Sequence, residues 1–376
     1  MLNSINHIIG LSKIGFKRDL KETLEKCLNF KKDEDFYKHF SFLNELKKKN
    51  VYKNWMLQII GENKYINVGD FSYYDQILET IFNLNFLPLR FKFKYINFKN
   101  IFESAKGNLN NQPMEMVKWF NTNYHYVVPE YDISTKFSFN NLIIEKDIKF
   151  SNLIKNNFKF IIIGPITLLK LGKIKDNFLK NKILLLPDLL INYISILNNI
   201  NNYENIKIIQ IEEPVSILNL SNIWLNSLIK TYNILCSYFS NILFATYFEK
   251  INNNILEKIS KIPFFSIHID LINSNNYDFF LKNNTNSKLI SLGIINGKEI
   301  WNDNLEKSYY ILKKFLLKNK ILLSTNCSLS YIPIDKNLEK KKLIIKNWIS
   351  FGVQKINNLK TLSDVFKKKF FFLKIL

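Results

Sequence analysis

Eight short apolar runs, separated by stretches long enough for a helix, predict an α/β fold: a single closed (β/α)8 barrel with an elaborated N-terminal region. The runs begin near residues 7, 66, 160, 206, 241, 264, 289 and 321, and most are continuous rather than alternating, as parallel strands covered on both faces should be. No Gly-rich dinucleotide turn follows the first run, which counts against the runner-up, an open doubly wound sheet.

Asn6–Leu11 (NHIIGL) predicts a buried first strand ending at Ser12–Lys13. Gly15–Lys21 leads into an amphipathic helix through Leu24 and Cys27. Phe36–Lys49 carries apolar residues near helical spacing and a Lys-rich far face, which predicts a second helix. Ile66–Phe71 (INVGDF) is the next strand, and Tyr73–Leu84 the helix after it. Residues 86–113 read as irregular. From Lys159 onward the pattern is regular, with strands at Phe160–Gly164, Ile206–Ile211, Asn241–Tyr247, Phe264–Asp270, Leu289–Ile295 and Ile321–Asn326. Residues 179–199, 215–235, 250–260, 273–283 and 298–318 each accommodate one helix, and 336–360 predicts a terminal one. Asn252–Asn254 and Asn283–Asn286 read as solvated turns. No linker composition interrupts the chain, so 1–360 is expected to be one domain and 361–376 a tail or the start of a linker.

The chain has 376 residues, of which 47% are hydrophobic, a globular composition. No stretch of about 18 apolar residues stands free of charges, so no transmembrane helix is expected. The first residues lack the basic-then-apolar order of a signal peptide. Cys27, Cys236 and Cys327 are an odd, sparse set that fits a reducing compartment, and a cytoplasmic location is expected. The formal charge of +21 would suit a nucleic acid or a membrane surface. However, Arg occurs only at Arg18 and Arg90 and Ala only at Ala105 and Ala245, while Lys, Asn, Ile, Phe and Tyr abound. The lysines are scattered, so drift towards A- and T-rich codons explains the charge better than a nucleic-acid partner does.

Met114–Tyr131 (MEMVKWFNTNYHYVVPEY) is polar and aromatic at once. Glu115, Lys118, Asn121, Asn123, His125 and Glu130 interleave with Trp119, Phe120, Tyr124, Tyr126 and Tyr131. Aromatic walls with a few placed donors and acceptors suit a pocket for a flat, polar ligand, and a half-buried strand and loop is the plainer alternative. At the C-terminal ends of the strands, where a barrel works, stand Lys13, Asp70, Thr167, Glu212, Glu213, Thr246, Asp270, Asn296 and Cys327. Barrel strands end near water in any case, so each alone is weak evidence of function. Of the adjacent pair Glu212–Glu213, neighbours on a strand point to opposite faces, so at most one can face the mouth. The histidines His7, His39, His125 and His268 form no His-x-Cys or His-x-x-x-His pair, no Cys-x-x-Cys occurs, and no soft ligand stands after the strand at 241–247 to join Cys327. No metal site and no catalytic residue is therefore expected in this chain.

WFNTNYHYVVPE (119–130) resembles the signature of the N-terminal half of the cobalamin-independent methionine synthase family, which moves a methyl group from a folate to homocysteine. NHIIGLSKIGFKRDLK (6–21), VGDFSYYD (68–75), GPITLLKLGK (164–173), QIEEPVSIL (210–218), TYFE (246–249), HIDLI (268–272), INGKEIW (295–301) and STNCSLSYIPID (324–335) extend the resemblance in order over nearly the whole chain. The resemblance implies two similar barrels. The second holds zinc through a His-x-Cys pair, a Glu and a later Cys, and binds homocysteine. The first lacks those ligands, and Cys327 resembles a remnant of the last one. By the same resemblance, the polyglutamate tail of the folate, 5-methyltetrahydropteroyl-polyglutamate, is bound by Lys17, Arg18, Asp19, Leu20 and Lys118. The side-chain chemistry agrees, since Lys17, Arg18 and Lys118 are donors for carboxylates and Arg18 can grip one with two bonds. One departure is Ser12–Lys13, where the family usually has Pro-Arg; a cation is kept and the fork is lost. The expectation is a folate-binding half, inactive alone, with zinc only in a C-terminal catalytic barrel that either a separate partner chain supplies or a longer protein of which this sequence is a fragment, and with no nucleic acid or membrane involved. The alternatives are a non-catalytic folate-binding or scaffold protein and a basic nucleic-acid binder.

Overall fold

The barrel strands are β1 (Ile5–Asn6), β2 (Ile66–Val68), β3 (Phe158–Ile163), β4 (Ile206–Glu212), β5 (Ile242–Ala245), β6 (Ser266–Asp270), β7 (Leu289–Ile295) and β8 (Ile321–Thr325) in a computed structural model of the chain. It describes all residues but 1–4, 18, 31, 92, 94, 95, 275, 276, 284–286, 288, 316–320, 341–343 and 376, so most of the Asn283–Asn286 turn lies outside the described residues. The eight strands pair in parallel in the order β1-β8-β7-β6-β5-β4-β3-β2. The two edges meet at one parallel bridge, Asn6 with Asn63, where the Lys64 N–H donates to the Asn6 carbonyl at 2.9 Å. The predicted (β/α)8 barrel is what the chain forms.

The strands lie within about two residues of the predicted runs, except at the start. β1 stops at Asn6: the His7 N–H still donates to the Leu323 carbonyl at 3.0 Å, but from Ile8 the buried segment leaves the ladder, and the Ile9 N–H turns to the Thr325 hydroxyl at 3.3 Å. The carbonyls of Ile8 and Ile9 take side-chain donors instead, Lys159 Nζ at 2.8 Å and Gln210 Nε2 at 2.9 Å. β2 ends at Val68 because Gly69 turns at φ 86°, where the backbone passes so close to β3 that a Cβ would lie 2.7 Å from the Ile161 carbonyl.

The apolar runs conceal a polar interior. Inward positions of β3, β4, β6 and β7 carry Lys159, Gln210, His268 and Ser291, all buried. Beside and below them lies a small apolar cluster of Tyr65, Ile208, Leu243, Ala245 and Leu322, separate from the large core between strands and helices.

The N-terminal elaboration holds helices Asp19–Leu28, Asp33–Ile60, Phe98–Lys106 and Leu142–Ser151, and a hairpin of Met116–Lys118 with His125–Val127. The helix expected over Phe36–Lys49 runs on to Ile60, because its second half buries polar residues that the barrel satisfies. Asn54 donates to the Ser12 carbonyl at 2.8 Å, Gln58 accepts the Asn67 N–H at 3.0 Å, and Trp55 Nε1 donates to the Asn67 carbonyl at 2.8 Å. Residues 86–113 are not wholly irregular. Asn97 and Asn100 form a reciprocal capping box that starts helix Phe98–Lys106.

Helix Leu186–Asn201, with the turn before it, is apolar and long enough to cross a membrane by composition. In the fold, one face packs on the barrel through Leu189, Ile196 and Ile200, and Tyr193 donates to the Ile163 carbonyl at 2.7 Å. The terminal helix is Gly352–Ile375, later than the predicted 336–360 and unbroken at 360, whereas 336–338 and 344–348 are short 3-10 turns. Its anchor is Lys355, buried against Asp303 at 3.1 Å and the Trp301 carbonyl at 2.6 Å.

Candidate ligand site at the barrel mouth

The hairpin Met116–Lys118/His125–Val127 pairs Lys118 with His125 and Val117 with Tyr126. Its connecting turn is held by Thr122, whose hydroxyl donates to the Trp119 carbonyl at 2.6 Å and accepts the Tyr124 N–H at 3.1 Å. Phe120 takes a left-handed φ of 48° there. Alternation then buries Trp119 and Tyr126 and leaves Lys118 and His125 in solvent. The hairpin docks on the loops after β5 and β8. Trp119 Nε1 donates to the Tyr331 hydroxyl at 3.1 Å, Tyr124 meets the Tyr331 ring edge-on at 5.7 Å, and Phe120 lies 5.5 Å from Phe248. The aromatic stretch is thus a wall of the barrel mouth. Tyr331 completes it, and its one signal in the sequence is an aromatic shortly after the last strand.

Behind the wall lies a cavity of about 50 Å³ bordered by Lys13, Asp70, Asp75, Tyr124, His125 and Tyr331, among others. Such a space holds a few water molecules, so a larger ligand must lie across its open side. Lys13 donates to Ser72 Oγ at 3.1 Å and to the Tyr74 carbonyl. Burial pushes its ammonium down, opposed by Asp75 and Glu79. Asp75 is occupied: it caps helix Gln76–Asn83 through the N–H groups of Ile77 and Leu78 and accepts the Val127 N–H at 3.2 Å. Burial holds its carboxyl up at about 6, against those bonds.

Of the nine polar residues at the strand ends, only Lys13 and Asp70 border this cavity. The others are structural ties. Glu213 faces outward and accepts the N–H groups of Ile166 (3.0 Å) and Thr167 (2.7 Å), the Thr167 hydroxyl (2.6 Å) and the Tyr232 hydroxyl (2.8 Å). Glu212 faces inward and accepts from Tyr247 at 2.7 Å and Gln210 at 2.8 Å. The two acids point to opposite faces, as strand geometry requires. Thr246 pairs with Ser216 at 2.9 Å, Asp270 accepts from Phe248, Ile272, Asn273 and Asn326, and Asn296 turns its own loop by accepting the N–H groups of Lys298 and Glu299. Cys327 is fully buried, and burial raises its thiol well above the usual range.

In the lumen, one chain of hydrogen bonds runs from Lys159 through His7 (3.0 Å), Ser291 (2.7 Å) and His268 (2.8 Å) to the Asn326 carbonyl (3.0 Å). The carbonyl can only accept, so His268 carries its proton on Nε2 and Nδ1 accepts from Ser291. Ser291 then accepts from His7 Nε2, and His7 Nδ1 accepts from Lys159. Burial drives His268 down to about 3 and His7 well below its ordinary value, so both stay neutral. Burial also pushes Lys159 down to about 7, opposed by Glu212 and Asp70, while three acceptors meet its three hydrogens.

These contacts test the fit of a zinc ion. Both nitrogens of His268 are engaged, both oxygens of Glu212 are engaged, and no three of His, Cys, Asp or Glu converge among the described residues. The donor set here does not fit zinc.

Glu212 also gives a pH prediction. Burial raises it to about 7. The folded chain keeps that proton to higher pH than the unfolded chain does, so its contribution is full below about 4.5 and is lost as pH rises through about 7. For a fully buried group this is on the order of 3 kcal/mol. In Glu212→Gln, the fall of the unfolding free energy from urea titrations between pH 5 and 7.5 should be smaller than in the wild type by that order. Parallel curves would show that Glu212 keeps an ordinary carboxyl.

The residues implicated in tail binding lie apart from the small cavity. Lys17 is exposed, Asp19 opens helix Asp19–Leu28, Leu20 is buried in the core, and Lys118 is exposed on the hairpin. Arg18 lies outside the described residues. None of the four described residues borders the mouth cavity.

Residues 5–320 match the family described as cobalamin-independent synthase, N-terminal domain. The 5-methyltetrahydropteroyltriglutamate–homocysteine methyltransferase of Buchnera aphidicola subsp. Cinara cedri is 38% identical over 96% of this chain and 47% of its own length. That of Blochmanniella floridana is 35% identical, again over 96% and 47%, and that of Haemophilus influenzae 33%. The chain spans about half the length of these relatives. Among solved structures, a B12-independent methionine synthase from Shewanella sp. W3-18-1 superposes with a TM-score of 0.62 at 15% identity, covering 89% of this chain and 91% of that one. A putative vitamin-B12 independent methionine synthase from Listeria monocytogenes gives 0.61 at 11%, covering 97% of each. At such identities these two show the shared fold alone. The sequence relatives and the family match, together with the barrel and its aromatic mouth, show that the chain belongs to the cobalamin-independent methionine synthase family and carries its N-terminal domain.

Proposed function

We propose that this chain is the folate-binding half of a methionine synthase, which contributes to methyl transfer from 5-methyltetrahydropteroyl-polyglutamate to homocysteine. The observation that carries this reading is the hairpin. Its aromatic face is locked to the barrel mouth, and Lys118 projects into solvent with no ion pair among the described residues. In this reading the rings offer a flat surface beside the mouth, and Lys17, Arg18 and Lys118 bind the carboxylates of the tail. Asp19 and Leu20 set the position of that segment, at the start of its helix. Zinc and homocysteine belong to a second, C-terminal barrel outside this sequence, the chain's partner in catalysis. The setting is cytoplasmic, with no nucleic acid or membrane involved.

Titration calorimetry with mono- and triglutamyl methyltetrahydrofolate tests the tail assignment. Lys118→Ala and Arg18→Ala should each weaken the triglutamate by about 1.5–3 kcal/mol and the monoglutamate by less, as loss of charge-assisted hydrogen bonds to the tail requires. Equal losses for both ligands would remove these residues from the tail site.

A further inference from the structure

We propose a second binding site, on the outer face of the barrel, for a small organic monocarboxylate with an aromatic or branched apolar body. The site is a cavity of about 310 Å³ between helix Asp33–Ile60, the segment after β2 and helix Leu142–Ser151. It is much larger than the mouth cavity of about 50 Å³ and reaches the lower end of the range for ligand pockets, roughly 300–1,000 Å³. Its floor is apolar, formed by Val51, Trp55, Val68, Phe71 and Phe150.

One end of the cavity is cationic, with Lys47, Lys48 and Lys146. Lys47 is already satisfied. It is buried, lies 2.9 Å from Asp147, and sits 4.2 Å above the Tyr73 ring. The other two lysines have no buried carboxylate partner. Lys48 has an exposed pairing with Glu45, of little energetic weight, and Lys146, exposed and with no ion pair among the described residues, has only the Phe98 ring 4.5 Å from its ammonium. Partial burial pushes the Lys146 ammonium down, and the neighbouring charges of Lys47 and Lys48 push it further against the pull of Asp147. The opening therefore carries a surplus of positive charge.

A carboxylate placed between Lys48 and Lys146 relieves that repulsion, while an apolar body covers the floor. The lysines disfavour an amine. Asp147, beside Lys47 at that end, and Asp70 border the same cavity and disfavour a second carboxylate. Asp70 also borders the mouth cavity, so an occupant lies one residue from the mouth.

Benzoate is the probe and benzamide its neutral control, with binding to the full chain read by Trp55 fluorescence and checked in Trp55→Phe. Benzoate should bind saturably and benzamide at least tenfold more weakly. The double variant Lys48→Gln/Lys146→Gln, at exposed helix positions, should weaken benzoate at least tenfold and leave benzamide unchanged. Val51→Trp, which fills the cavity, should abolish both. Equal affinity for the two probes, no saturable benzoate binding in the millimolar range, or undiminished binding in the double variant would each overturn the proposal. Because the double variant changes surface residues alone, it carries the test even if Val51→Trp fails to fold.

Discussion

Glu213→Ala should destabilise the barrel by about 3–5 kcal/mol, the size of loss seen when one member of a buried charged network is removed. Glu213 is fully buried and takes four donors from the start of helix Pro165–Leu171 and from Tyr232. Alanine leaves two N–H groups and two hydroxyls without partners in a space that water does not reach. Burial raises the Glu213 carboxyl to about 7, yet the four donors suit a carboxylate, which is why both of its oxygens are fully used. For a chain of this size the loss corresponds to a fall of about 5 °C in melting temperature. Gly164 supplies a second arm of the test. A Cβ there would run into the Glu213 carboxyl group, so Gly164→Ala should also destabilise the fold. In the Glu213→Ala background that obstacle is gone, and Gly164→Ala should cost little. Additive losses in the double variant would show that the two positions do not act through one contact.

The purified chain should form no methionine from methylfolate and homocysteine, and activity should appear when a zinc-bearing barrel of the same family is supplied. A free thiol has a pKa of about 8.5 and is mostly unreactive near neutral pH. Displacing methyl from a tertiary amine requires the thiolate to be formed and aimed. The groups that could do so here are committed elsewhere. His7 and His268 are neutral, fully buried and bonded at both nitrogens. Glu212 is bonded at both oxygens, and Cys327 lies under the mouth with its thiol held up by burial. Two barrels held together stably need an interface of roughly 1,200–2,000 Å² or more, so activity should rise with the concentration of the added barrel and saturate. Methionine formed by this chain alone would refute the division of labour.

The fold was legible in the sequence because parallel strands and amphipathic helices leave local periods that need no partner to be seen. Those periods place the eight strands, and the 119–130 stretch is dense enough in aromatic and polar residues to mark the wall of the mouth. Helix Phe98–Lys106 was also signalled locally, by Asn97 and Asn100, though the residues around it hid the pattern.

What only the tertiary structure decided was what each polar side chain does. His7 meets Ser291 across 284 residues, Lys159 meets His7 across 152, and Glu213 meets Thr167 across 46. From their places at one strand end, strand geometry lets only one of Glu212 and Glu213 face the mouth, and the sequence does not say which. Closure of the barrel made one a lumen partner and the other a helix clamp. The outer cavity has the same origin, since Lys47 and Asp147 are neighbours only because two helices pack side by side. Periodicity is a property of a few adjacent residues and is written locally. Desolvation and hydrogen-bond pairing depend on which distant atoms arrive, and only the closed fold brings them together.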